Sequence, residues 1–192
     1  DRLQHSEKLA ISQAFTDPQT RQPNYSFFTS PFFTEQPVFK QNRPMAMMLL
    51  KLKGFRQLLG LLGPSGIEQA YRLHISRVED FLAHSEWALE FELPNSGKSH
   101  MVSLPGDHIL IVAEVKDDYE SIVIPLLHLA EKAIRIGKLE SKLTFRIGVA
   151  RFDVDELDVH ECYRHAQLAL LNSYSSQKEW FVYRPEDDAA FR

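Results

Sequence analysis

The residues that most constrain how this chain folds lie between positions 67 and 82. Ile67, Ala70, Tyr71, His74, Ile75, Val78, Phe81 and Leu82 recur at the three- and four-residue spacing of one helical face. A stripe of about four turns must be covered, and short apolar stretches on either side supply the cover. "MAMMLLKLK" (45–53) precedes it and reads as a strand, apolar at first and then alternating. "WALEFEL" and "SHMVSL" follow it around "PNSGK", whose turn chemistry predicts a hairpin. "SLPGDHILIV" (103–112) then turns at Pro105, Gly106, Asp107 and His108 into a buried strand over Ile109, Leu110, Ile111 and Val112. His74 sits on the apolar face and reads as a core or boundary histidine rather than a ligand.

The remaining chain completes the pattern. "DRLQHSEKLAISQAF" (1–15) reads as a short helix and "TDPQTRQPN" as a loop. Five phenylalanines between Tyr25 and Pro44 are interrupted by Pro31 and Pro37, which rules out one uninterrupted helix. "FRQLLGLL" is a helical segment leading into the 67–82 face. "DDYESIVIPLLHLAEKAIRIG" reads as a helix stopped by Gly137, with Pro125 marking its first turn or a kink. "KLTFRIGVARFD" is a strand, and "DVHECYRHAQLALLNSY" is a helix with Val159, Cys162, Tyr163, Ala166, Ala169 and Leu170 on one face. "EWFVY" is a last short strand, and "RPEDDAAFR" a polar exit. The order β-α-α-β-β-β-α-β-α-β contains two helical crossovers between parallel strands and an antiparallel middle. It predicts class α+β, a ferredoxin-like mixed sheet with flanking helices and an extra β-hairpin.

Composition closes off several function classes. The 192 residues carry a net charge of −4, so no overall basic field draws nucleic acid or an anionic membrane. No apolar run approaches the roughly 20 residues that span a bilayer, and no secretory signal is present. A single cysteine, Cys162, excludes an internal disulfide, suits a reducing cytoplasm and reads as an inert core thiol. His160 and His165 are five apart and do not share a face as an i, i+4 metal pair would. The first residue is Asp rather than Met, so the chain is expected to be a piece of something longer.

An aspartate and a histidine at a hairpin tip, Asp107 and His108, can be either a working site or the remains of one. Here a family resemblance bears on the choice. "FTDPQTRQPNYSFF" resembles the D-x-L-T-x-L-x-N-R entrance of bacterial GGDEF, or diguanylate cyclase, domains. "LLKLKGFRQLLGLLGPSGIEQA" resembles their D-x-D-x-F-K-x-x-N-D-x-x-G-H-x-x-G-D segment, and "SLPGDHILIV" falls where the signature hairpin belongs. "FRIGVARF" is similar to their S-I-G-V-A strand, and "HAQLALLNSYSSQKEWFVY" to A-D-x-A-L-Y-x-A-K-x-x-G-R-N. The resemblance runs from about residue 14 to 184 in the expected order. It implies a nucleotidyl-cyclase-like fold, and for working members the condensation of two GTP into cyclic di-GMP. In such members each subunit holds one GTP and two divalent metals, and two subunits meet face to face. The metals neutralise the triphosphate and help activate the attacking hydroxyl.

Carried onto this sequence, the resemblance implies that the site has been dismantled. Lys51 and Lys53 stand where the family has two aspartates of the metal-binding strand, and an ammonium has no lone pair to offer a cation. Pro105, Gly106, Asp107, His108 and Ile109 occupy the signature positions. Gly106 and Asp107 fit, Pro105 replaces the first glycine, and His108 replaces the catalytic-site glutamate. Leu59 replaces a guanine-contacting asparagine, whereas Glu68 keeps the charge of a guanine-contacting carboxylate. Arg56 keeps the charge of a phosphate-side lysine, and Lys178 that of a basic residue near the last turn, with Tyr174 replacing the lysine before it. Arg56, Glu68 and Lys178 are thus the residual nucleotide contacts. The glycine-histidine turn has become "GPSG", and the inhibitory product motif falls on Gly97, Lys98, Ser99 and His100 and is absent.

The expectation is therefore a pseudoenzyme with no catalytic residue, metal or cofactor. Residues 1–15 would be a linker helix, 16–184 the degenerate GGDEF-like domain, and 185–192 an exit linker to a downstream domain. The module would act on a neighbouring domain, an EAL phosphodiesterase-type domain by the family's habit, or on a protein partner, with homodimerisation open and no nucleic-acid or membrane contact. It would lie in the cytoplasm, or in the cytoplasmic part of a membrane-anchored protein. Two other readings stay open: a GTP-binding sensor without turnover that controls a neighbouring domain, and an unrelated α+β interaction domain. Lys51 is expected to fill the vacated metal position and pair with Asp107, the alternative being that both are independently solvated. His108 is either a solvated turn residue or a pH-sensitive contact.

Overall fold

The computed structural model describes residues 1–94, 97–153 and 158–189. Helix α1 (Arg2–Phe15) begins at Asp1, whose carboxylate accepts from the Leu3 amide, and buries none of its residues. The phenylalanine-rich stretch breaks where its prolines fall: α2 (Tyr25–Thr29), α3 (Pro31–Thr34) with Pro31 at its first turn, and a 3₁₀ turn over Pro37–Lys40. Strand β1 (Met45–Lys53) follows. After a 3₁₀ turn (Arg56–Leu58) comes α4 (Leu59–Ala83), two helical pieces joined at Gly63, whose φ of 70° only glycine adopts readily. Seven residues of the predicted apolar face are buried, Ile67, Ala70, Tyr71, His74, Ile75, Val78 and Leu82, and the eighth, Phe81, is half-buried.

The extra hairpin is present but slight. β2 (Phe91–Glu92) pairs antiparallel with β3 (Lys98–Ser99), and the centre of its expected turn, residues 95 and 96, lies outside the described residues. β4 (Val102–Leu104) and β5 (His108–Glu114) form the second hairpin. Helix α5 (Glu120–Glu131) ends six residues short of Gly137, with Pro125 in its second turn. In place of a helical continuation, β6 (Ile134–Ile136) and β7 (Leu139–Ser141) make a small hairpin turning at Gly137. β8 (Thr144–Phe152), α6 (Val159–Ser175) and β9 (Trp180–Val182) match the sequence reading. The polar exit differs from it: Pro185–Ala189 form a helix, α7, while residues 190–192 lie outside the described residues.

The main sheet has the order β4-β5-β1-β8-β9. β1 is antiparallel to both β5 and β8, and β9 is parallel to β8. β5 and β8 therefore run the same way, so α5 and α6 are the two crossovers between parallel strands. A core lies on each face. Ala46, Met48, Leu50 and Leu52 point to the side of α4 and α5, and Met45, Met47 and Leu49 to the side of α6 and the phenylalanines. Burial on both faces explains why β1 opens as an unbroken apolar run. On the α6 side, Phe33 packs edge-on to Phe27, Phe39 and Phe91 at centroid distances of 5.1–5.6 Å.

One approach is unusually close. A β-carbon built on Gly148 of β8 would lie 2.2 Å from the Ala166 carbonyl oxygen and 2.5 Å from the Leu170 amide nitrogen, both backbone atoms of α6. The helix rests directly on the strand there, which requires glycine.

His74 is fully buried in α4, its Nε2 2.8 Å from the Ser141 hydroxyl of β7. Desolvation pushes its pKa from the usual 6.5 down to about 4, as a core histidine requires. Cys162 is buried against the carbonyls of Ala150 and Arg151, and burial pushes its thiol up to about 12. His160 packs edge-on against Phe28, while His165 stacks on Tyr183 at 3.8 Å.

Candidate functional site

The hairpin between β4 and β5 is closed by the Leu104–His108 pair, leaving Pro105, Gly106 and Asp107 as its tip. Gly106 (φ 79°) and Asp107 (φ 59°) are both left-handed, a conformation glycine adopts freely and aspartate tolerates better than most residues. The His108 ring folds back over the tip, with Nδ1 2.9 Å from the Pro105 carbonyl, which fixes that nitrogen as an N–H donor. His108 is thus a partly buried strand residue that braces the turn.

The C-terminal half of β1 runs alongside this tip. Lys51 is the cross-strand partner of His108 on one side and of Arg146 on the other. The Leu52 amide donates to the Asp107 carbonyl at 2.9 Å. The expected Lys51–Asp107 ion pair does not form, nor are the two side chains independently solvated. The Lys51 ammonium donates to the Gly106 carbonyl. Asp107 accepts instead from Arg56, Nε to Oδ2 and Nη2 to Oδ1, both at 2.6 Å. Register explains the exchange. Lys51 opposes His108, so Asp107 falls one residue further on, at the turn, where alternation no longer aims it at Lys51. Beyond β1, Gly54 (φ 105°) turns the chain and carries Arg56 back over the hairpin.

Arg56 is 62% exposed and Asp107 14%, and the fork fits the carboxylate with two parallel hydrogen bonds. The same pair raises the Arg56 pKa above its ordinary value. Beside it lies an open cleft of about 320 Å³, walled by Arg56, Tyr71, Ser103 and Asp107 and by Asp17 and Asn24 from the N-terminal segment. Tyr71 and Ser103 approach each other there at 3.4 Å, and burial raises the tyrosine's pKa.

Lys53 has a partner that sequence reasoning missed. Its ammonium lies 4.2 Å from the centre of the Tyr174 ring, and the Arg146 guanidinium lies 4.4 Å from the same ring. Arg146 also donates to the carbonyls of Ser173 and Lys178 at 2.7 Å, closing the end of α6. The only sequence signal was the run of Leu170 and Tyr174 at i, i+4 on α6, which places the ring beyond the buried stripe. Glu68 and Lys178 are exposed, and neither is among the residues that wall the cleft; Leu59 is 52% exposed. The structure therefore brings together Lys51, Arg56 and the hairpin residues, sets Lys53 against Tyr174, and leaves Glu68 and Lys178 apart from the cleft.

A mixed sheet with a β-hairpin beside its central strand and helices on both faces is the architecture of the GGDEF domain, and the chain has that fold. No family model matches the sequence, and no curated protein matches it. Solved structures do. The coiled coil and GGDEF domain of DgcB from Caulobacter crescentus, in complex with c-di-GMP, aligns with a TM-score of 0.68 at 15% identity, over 95% of this chain and 91% of that one. A diguanylate cyclase/phosphodiesterase from Caldicellulosiruptor saccharolyticus gives 0.69 at 14%, over 90% and 95%. The diguanylate cyclase SiaD from Pseudomonas aeruginosa, in complex with its activator SiaC, gives 0.65 at 15%, over 93% of this chain and 65% of that one.

Proposed function

We propose that this chain is a catalytically silent module with the GGDEF fold, acting by contact with a neighbouring domain of the same protein or with a separate protein. One observation carries the reading. The strand and hairpin that would gather divalent metal in a working cyclase present two ammonium groups, Lys51 and Lys53, while the one retained carboxylate, Asp107, is occupied by Arg56. Magnesium requires oxygen donors in near-octahedral array, and ammonium groups repel it. Pro105 and His108 replace a close-approach glycine and a carboxylate, which removes two further requirements of the reaction.

An EAL-type domain is the neighbour this reading favours, with the cytoplasm as its compartment. No helix of the described residues is long and apolar enough to cross a membrane. Control by contact has a parallel in the SiaD structure, which holds an activator protein. A second reading, GTP binding without turnover, is favoured by the polar cleft beside Arg56 and opposed by the Arg56–Asp107 pair, which takes up the retained phosphate-side cation.

The test is to incubate purified protein with GTP and either Mg²⁺ or Mn²⁺ and to separate the products by chromatography. No cyclic dinucleotide is expected, and its appearance would overturn the reading. Titration calorimetry with GTP decides the second, since heat that saturates below millimolar nucleotide would establish sensing.

A further inference from the structure

The face of the sheet under α6 changes character along β1. Met45, Met47 and Leu49 are buried there, and the next two residues on that side are Lys51 and Lys53. Across the strands, Lys51 stands directly between His108 on β5 and Arg146 on β8. Opposed like charges in an antiparallel pair repel, so the Lys51–Arg146 register costs stability unless something offsets it. The nearby carboxylate, Asp107, is taken by Arg56. Among the described residues, the lysines and Arg146 find carbonyl oxygens and the face of Tyr174 but no carboxylate, and Lys178 adds a further exposed cation at the same end of α6.

We propose that this cationic row is a docking surface for an extended, acidic segment of a protein partner. The inference rests on the reading of the chain as an interaction module and names the chemistry of what it binds. Two features select a carboxylate-bearing peptide over a phosphate ligand. Phosphate cradles converge backbone N–H groups, but Pro105 has none, and Gly106 turns its carbonyl rather than its amide toward Lys51. The spacing also fits. Lys51 and Lys53 are about 6.8 Å apart along one face of the strand, the same repeat as alternate side chains of an extended peptide. Arg146 sits roughly 5 Å to the side of Lys51, within reach of the same carboxylate. The chain as a whole is acidic, at −4, so the row is a local exception that steers an acidic segment to one place.

The experiment uses fluorescence anisotropy at low ionic strength with a labelled peptide alternating Glu and Thr. A Lys/Thr peptide, a single-stranded RNA and inorganic tripolyphosphate serve as competitors. The acidic peptide is expected to bind, to weaken with added salt, and to resist all three competitors. Lys51→Glu/Lys53→Glu should weaken it at least about tenfold, and Lys53→Glu alone by severalfold, with the thermal unfolding midpoint retained. Lys116→Glu, the same charge change two residues beyond the far end of β5, should leave binding unaltered. Absence of binding, indifference to Lys53→Glu, or displacement by tripolyphosphate or RNA would each overturn the proposal. The cyclase assay is independent of these outcomes. A chain that makes no cyclic dinucleotide yet ignores the acidic peptide refutes this inference alone.

Discussion

Gly148→Ala is the substitution whose consequence follows most directly from the structure. The added methyl would lie 2.2 Å from the Ala166 carbonyl oxygen and 2.9 Å from the Leu170 α-carbon, where ordinary contact begins near 3.4 Å. The obstructing atoms are helix backbone, so no side chain can swing aside. Relief requires α6 to move off β8 by about 1.2 Å along its most closely packed stretch, loosening Ala166 and Leu170 from the core. Overpacking of a well-filled core costs about 1–3 kcal/mol, and a clash with backbone belongs at the upper end. At roughly 2–4 °C per kcal/mol for a chain of this size, the melting temperature should fall by about 6–12 °C. Thermal unfolding followed by circular dichroism, together with urea titration at unchanged m, measures it. Gly60→Ala in the first turn of α4, where a β-carbon meets nothing within 4 Å, is the control and should be neutral or slightly stabilising. A Gly148→Ala protein within about 0.5 kcal/mol of the parent would show that helix and strand do not meet as described.

Other outcomes can be checked alongside. The His74 pKa is lower folded than unfolded, so between about 6.5 and 4 the unfolded chain binds the extra proton. Stability present above pH 6.5 should decline as pH falls through that window, by up to about 3 kcal/mol, with a shallower pH slope in His74→Gln. Cys162, with its thiol pushed up to about 12, should resist a disulfide reagent in the native protein at pH 8 and react at once in denaturant. Arg164 forks onto Asp188 at 3.0 and 2.7 Å and also holds Glu161, so Arg164→Ala should speed amide exchange in α7 about tenfold without touching β1.

Much of this architecture is legible in the sequence because its largest elements are strongly periodic. The 67–82 and 159–170 faces are buried except for Phe81 and Tyr163, which are half-buried at their edges, and β1 is readable from its apolar run and its closing Lys-Leu-Lys alternation. The β6–β7 hairpin was not legible. Its strands are three residues each, Ile134 and Ile136 continue the spacing of α5, and Gly137 serves a helix stop and a tight turn equally well. Polarity hid α7 in the same way, since nothing in "PEDDA" shows that Asp188 will be buried against Arg164. At the site, the sequence places Lys51 beside the hairpin, but the partner of Asp107 depends on register and on the turn at Gly54. Those bring in Arg56, a residue five positions away. The grip of Lys53 and Arg146 on Tyr174 joins three separate elements and exists only once α6 is laid across the sheet.

The N-terminal segment closes the sheet as well as leading into it. The outward-facing amide of Ser103 on β4 donates to the Pro23 carbonyl at 2.7 Å, and α2 lies against that same strand. An uncapped strand of this kind is a template onto which other chains can polymerise. Residues 16–24, which look dispensable as a loop, therefore act as the molecule's guard against self-templating, and trimming them would bare a strand edge open to pairing with other chains.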